Sequence, residues 1–183
     1  MANMSHISTN SPHAWILAAR PKTLTGAAVP VMIGISAAWA DGFFRLVPAL
    51  LCFLFAFLMQ IDANFINDYY DFRKGLDDEK RLGPKRACAE GWITLPAMRR
   101  GIMCTTLLSC LTGLPLVWYG GWTMVLVGVC CVVFCFLYTT CMARLGLGDL
   151  LVLVFFGLVP VGATYYLQSG TVAVSYTHLT LPT

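Results

Sequence analysis

Asn64, Asp68 and Asp71 are spaced i, i+4, i+7, and Asn67 and Asp71 form a further i, i+4 pair. On a helix the first three share one face. Carboxylates crowded on one helical face repel each other unless a cation lies between them. Magnesium suits such a place: it takes oxygen ligands, keeps several waters, and draws one or two carboxylates from the protein and the rest from substrate phosphates. Asn64, Asp68 and Asp71 are therefore candidate metal ligands. Gly75 should break the helix, which lets Asp77 swing back toward them. The plainer alternative is a solvated helix end, but acids at a helix C-terminus oppose its dipole and do little for stability there.

Cations follow the acids: Lys74, Arg81, Lys85 and Arg86, with Gly83-Pro84 as a tight turn. Arginine grips phosphate oxygens bidentately and lysine acts as a point charge. Arg20 and Lys22 are expected at the same membrane face and are candidates for the same work. Cytoplasmic anchoring charges would explain the sign of all these residues, though not their interleaving with acids. Asp62 and Gln60 lie within the apolar run before the block, with no partner evident from sequence. Asp149 could face Arg144 or Lys22.

The elements that must carry these residues are membrane spans. Of 183 residues 58% are hydrophobic and 11% charged, against about 25% charged in soluble domains. This excludes an ordinary soluble domain. The net charge of +3 gives no reason to invoke nucleic acid, since eight of the twelve Lys and Arg cluster in residues 73–100. Seven of the eight cysteines lie in apolar segments, no Cys-x-x-Cys occurs, and His6, His13 and His178 are scattered. A zinc site does not fit that pattern, and the cysteines read as small packing residues. The polar segment 1–14 lacks Arg and Lys and resembles neither a secretory signal nor a transit peptide.

A span needs about 20 apolar residues. The pattern predicts an all-α, polytopic membrane bundle with about five transmembrane helices, near 23–40, 46–67, 101–118, 122–142 and 150–168, and a hydrophilic loop over 68–100. The 43 uncharged residues from Gly101 to Ala143 suit two spans, broken at Trp118-Tyr119-Gly120-Gly121-Trp122, where aromatics mark an interface. Arg20 and Lys22 place the N-terminus in the cytoplasm. The loop 68–100 is then cytoplasmic and eleven of twelve cations share one side, Arg45 being the exception.

The block Asn64-x-x-Asn67-Asp68-Tyr69-x-Asp71-x-x-x-Gly75-x-Asp77, then Arg81-x-Gly83-Pro84-x-Arg86, resembles the first aspartate-rich motif of the UbiA superfamily of intramembrane prenyltransferases. More narrowly it is similar to the 1,4-dihydroxy-2-naphthoate polyprenyltransferases of menaquinone synthesis. Arg20-Pro21-Lys22-Thr23-Leu24 resembles the family's opening. Gly146-Leu147-Gly148-Asp149 with Val154-Phe155-Phe156-Gly157 resembles its entry to a fifth helix. The similarity spans about residues 14–174.

The resemblance implies nine helices in a complete member and a second aspartate-rich motif between helices 6 and 7. It implies transfer of a polyprenyl chain from its diphosphate to an aromatic acceptor, dihydroxynaphthoate or another such as hydroxybenzoate, in the bacterial cytoplasmic membrane. Asn64, Asp68 and Asp71 would then bind magnesium and diphosphate. Lys74, Asp77, Arg81 and Arg86 would support them, with Asp68, Asp71, Lys74 and Arg81 nearest the chemistry and Asn67, Lys85, Arg20 and Lys22 at the substrate. Asp62 is not part of the expected pattern. A channel or transporter using the acids as an ion site is the reading of another class. The last nine residues, Ser175 to Thr183, resemble translated read-through of a sequencing adapter, so the chain is expected to be an N-terminal piece, inactive alone, with residues 15–174 its partial domain.

Overall fold

A computed structural model of the chain describes residues 7–75, 85–140 and 152–170. Among them the protein is all-helical. Helix α1 (Pro12–Ala19) starts where the Ser11 hydroxyl accepts the Ala14 N–H at 3.3 Å. It ends at Arg20, whose left-handed φ of 52° makes the joint to α2 (Pro21–Ala40). Then come α3 (Leu46–Arg73), α4 (Leu95–Gly120) and α5 (Thr123–Thr140). A wider π-type turn at Leu153–Leu158 leads into α6 (Val159–Ser169).

Helix α3 is the spine and touches the five other helices. Its 28 residues span about 42 Å at 1.5 Å per residue, against a hydrocarbon core of about 30 Å. One end must therefore project from the apolar layer, and the polar sequence Asn67 to Arg73 makes it the C-terminal end. Around that end Ile66, Ile93, Met98 and Ala14 form one core; Val31, Cys52, Leu116 and Leu167 form another toward the opposite end.

Close approaches fix the helix pairs. A Cβ on Gly34 would stand 2.7 Å from the Val161 carbonyl and 2.8 Å from Thr164, so α2 and α6 meet where only glycine fits. Trp15 lies edge-on to Phe65, with ring centroids 5.4 Å apart, and its ring also covers Gly101. Arg45 donates its N–H to Gln168 at 2.6 Å, and Tyr165 donates to Asp41 at 2.6 Å, which ties α6 to the α2–α3 turn.

Among the described residues three helices, α2, α3 and α4, are long and apolar enough to cross a membrane, and Thr123–Tyr138 and Leu153–Ser169 are shorter apolar helices. Large apolar side chains cover their outer faces, with Trp118 and Trp122 more than four-fifths exposed at one end. Apolar surface of that extent needs a nonaqueous environment. The chain is an integral membrane protein.

The helices run past the limits that charge alone suggests. Helix α3 continues six residues beyond 67, and α4 begins at Leu95 rather than 101. The connection is therefore shorter than the expected loop 68–100. No glycine or proline interrupts residues 68–73, and the emergence of polar residues from the apolar layer does not by itself end a helix. Thr94 before Leu95-Pro96 is a helix-start signal. Residues 12–14, expected in a polar tail, open α1 instead. The Arg144–Asp149 turn and the tail 175–183 lie outside the described residues.

Candidate active site

The last three turns of α3 carry Asn64, Asn67, Asp68 and Asp71, and the segment 85–94 folds across them. That segment is held by its own turns, with Glu90 N–H bonded to the Arg86 carbonyl and Trp92 and Ile93 N–H to that of Ala87. The N-terminal segment braces it: Asn10 donates to the Trp92 carbonyl, and its side chain accepts from the Thr94 N–H.

This fold brings two candidate acids against the loop. The Asp68 carboxylate is 1% exposed and accepts the Ala87 N–H at 2.9 Å. Asp71 is half-buried and forms an ion pair of 2.5 Å with Arg86, which is itself buried. Asn64 turns toward the α1–α2 joint. Its amide donates to the Ala19 carbonyl and to the Thr23 hydroxyl, both at 2.9 Å, and Thr23 in turn donates to the Arg20 carbonyl. The joint bearing Arg20 is thus fastened to the acid-bearing face. Asn67 faces inward, onto the cavity described below.

Other cations are spread outward. Lys85 pairs with Glu90 at 3.0 Å on the surface. Lys74 lies 5.9 Å from the centre of the Tyr70 ring, and Lys22 is exposed. Asp77 and Arg81 lie outside the described residues. Among the described residues no three His, Cys, Asp or Glu side chains converge as a metal cluster. The donor set nevertheless fits magnesium: two carboxylates one turn apart and a neighbouring amide oxygen are hard ligands of the number it takes when phosphates complete its shell.

Inward of the acids lies an apolar cavity of ≈ 580 Å³. Asn67 and Gln60 mark its polar end, and Val31, Cys52, Leu116 and Leu167 line its far part. From Asn67 to Cys52 it follows α3 for about 22 Å. Such a space takes a long hydrocarbon, and the acids and cations beside Asn67 suit a charged head.

Sequence reasoning left Asp62 without a partner. It is fully buried, bonded to Thr105 and to Thr106, the latter at 2.7 Å, across the α3–α4 interface. The polar pair Thr105-Thr106 inside a long uncharged stretch was the available signal. Thr23, which holds Asn64, had no signal beyond its place after Arg20-Pro21-Lys22.

The chain is similar in sequence to known proteins. The model of the "UbiA prenyltransferase family" matches residues 27–183. The chain is 37% identical over 177 residues to a 1,4-dihydroxy-2-naphthoate octaprenyltransferase of Escherichia coli, covering 92% of this chain and 58% of that protein. It is 37% identical to the protein of that name from Haemophilus influenzae, covering 92% and 57%. It is 29% identical to a UbiA prenyltransferase domain-containing protein 1 of Danio rerio, covering 88% and 49%. The chain spans about half the length of these relatives. With the family match running through α2 to α6 and including the acid-bearing end of α3, the chain belongs to the UbiA prenyltransferase family.

Proposed function

We propose that this chain supplies the first aspartate-rich half of an intramembrane prenyltransferase site, and that the reaction moves a polyprenyl chain from its diphosphate to 1,4-dihydroxy-2-naphthoate. One observation carries the reading: the polar end of α3 adjoins an apolar cavity of ≈ 580 Å³, which suits a substrate with a diphosphate head and a hydrocarbon tail. The names of the bacterial relatives favour dihydroxynaphthoate over hydroxybenzoate as the acceptor.

In this reading Asp68 and Asp71 offer carboxylate oxygens to magnesium, and Asn64 holds the Arg20 joint beside them. Bound magnesium supplies positive charge against the diphosphate oxygens. Arg86, Lys74 and Arg20 add cationic charge at the same end, with Arg81 and Asp77 as further contributors and Lys22 and Lys85 at the rim. Charge stabilisation of a leaving group is the electrostatic part of such catalysis. The allylic C–O bond breaks, its electron pair leaves with diphosphate, and an electron-rich ring carbon bonds to the allylic carbon. The ring then loses its carboxylate as carbon dioxide. Asn67 marks where head and tail divide. The membrane is the bacterial cytoplasmic membrane, with the acid-bearing end facing the cytoplasm.

The test compares the chain alone with a chimera in which residues 1–170 continue into the corresponding C-terminal half of the Escherichia coli relative. With magnesium, prenyl diphosphate and dihydroxynaphthoate in lipid, the chimera should make the prenylated hydroquinone demethylmenaquinol, read as demethylmenaquinone after oxidation by air, and the chain alone should not. An inactive chimera that inserts and folds refutes the assignment. Product from the chain alone refutes the half-site.

A further inference from the structure

A second cavity, of ≈ 490 Å³, lies outside the bundle at its acid-bearing end, lined by Tyr69, Leu95, Pro96, Arg99, Arg100 and Met103. Among the described residues it shares none with the apolar cavity. On α3, Tyr69 stands about 200° around the helix from Asn67, so the two cavities lie on different sides of the spine. The five residues from α4 recur at i, i+1, i+4, i+5 and i+8 and therefore form one face of that helix.

The groove is basic, and among the described residues no carboxylate lines it. Arg99 and Arg100 are exposed, and among the described residues neither guanidinium has an ion-pair or hydrogen-bond partner. Below Arg99 the same face continues as Met103, Leu107, Leu111 and Leu114, which are 63%, 60%, 53% and 62% exposed. From Arg99 to Leu111 this track descends about 18 Å along α4, enough to pass the middle of a hydrocarbon layer about 30 Å thick. Two fixed positive charges thus stand at the head of an open apolar track.

We propose that this groove seats the headgroup of an anionic phospholipid. Its phosphate lies between Arg99 and Arg100, Tyr69 stands at the rim, and an acyl chain follows Met103 to Leu111. Guanidinium forks match phosphate oxygens, and tyrosine settles at headgroup depth. Basic pockets between membrane helices bind anionic headgroups in this way. Anchoring charges alone would need no groove, and a free phosphate would have no use for the apolar track. The proposal is independent of what the inner cavity holds.

The test offers the purified, delipidated chain equal amounts of phosphatidylglycerol and phosphatidylcholine and reads retained lipid by native mass spectrometry. Phosphatidylglycerol should be retained at least several-fold over phosphatidylcholine. The Arg99→Gln/Arg100→Gln variant should lose that preference, at roughly five-fold per arginine for a charge near an anionic surface. Arg45→Gln, at the opposite end of the bundle, should keep it. Equal retention of the two lipids, an unchanged preference in the double variant, or displacement by excess inorganic phosphate overturns the site. Should the double variant misfold, the unaltered chain decides: a photoactivatable phosphatidylglycerol should label the peptide Leu95–Met103. Labelling only elsewhere, or a dimer that buries this peptide as lipid leaves, overturns the proposal.

Discussion

Arg86 and Asp71 form an ion pair of 2.5 Å in which the cation is the more deeply buried partner, with side-chain exposures of 6% and 21%. A residue expected to grip phosphate is thus already positioned by an acid expected to serve magnesium. This pair, with the Asp68–Ala87 bond, closes the segment 85–94 over the end of α3.

The asymmetry of that pair predicts an order of stabilities. Asp71→Asn takes the opposing carboxylate charge from a guanidinium that is 6% exposed, whereas Arg86→Met leaves a carboxylate that still reaches water. Breaking a fully buried pair costs about 3–5 kcal/mol, and partial exposure of Asp71 lowers both losses. Thermal unfolding in detergent should rank Asp71→Asn as the less stable variant, and the reverse order would contradict this account.

Asp68 separates a structural role from a chemical one. In Asp68→Asn an amide oxygen still accepts the Ala87 N–H, so stability should change by less than about 1 kcal/mol. Turnover in the full-length chimera should nevertheless fall at least about 100-fold, because the charge that holds magnesium is gone. Asp68→Ala should also destabilise by about 1–3 kcal/mol, since it leaves a buried N–H unpaired. A chimera carrying Asp68→Asn with near-normal turnover would remove this residue from the metal site.

Asp62 should act through packing. Asp62→Asn keeps atoms opposite Thr105 and Thr106 and should leave turnover within a few-fold. Asp62→Ala deletes the interhelical bonds, worth about 1–2 kcal/mol each at most within membranes. Its melting temperature should drop, while its magnesium dependence stays that of the parent. A shifted magnesium requirement in Asp62→Asn would instead put this carboxylate in the site.

Gly34 faces the Val161 carbonyl and Thr164 too closely for any side chain. Gly34→Leu should force α2 and α6 apart at a cost of about 1–3 kcal/mol or more. Unfolding and prenyl transfer by the chimera should both report it, whereas Gly26→Leu, which meets open space, should be tolerated. Equal stability of the two variants would show that the close approach is not needed.

Topology has a direct check. Ala89 is exposed on the segment over the site. With Ala89→Cys as the added thiol, an impermeant maleimide applied to intact cells should not label it until the membrane is opened. Prompt labelling from outside would invert the orientation.

The sequence by itself determined the class of this protein. Long uncharged runs must be helices, because a backbone in lipid has to satisfy its own hydrogen bonds. The i, i+4, i+7 spacing of Asn64, Asp68 and Asp71 put them on one face before any tertiary contact was known. The tertiary structure decided their partners. Asn64 binds the α1–α2 joint across 41 to 45 residues, Asp68 the Ala87 N–H, Asp71 the Arg86 guanidinium, and Asp62 two threonines of α4. Helical periodicity is local and fixes which side chains share a face. Partners that meet only when helices pack or a loop folds back leave no such period, and so Asp62 and Arg86 took their places only in the assembled bundle.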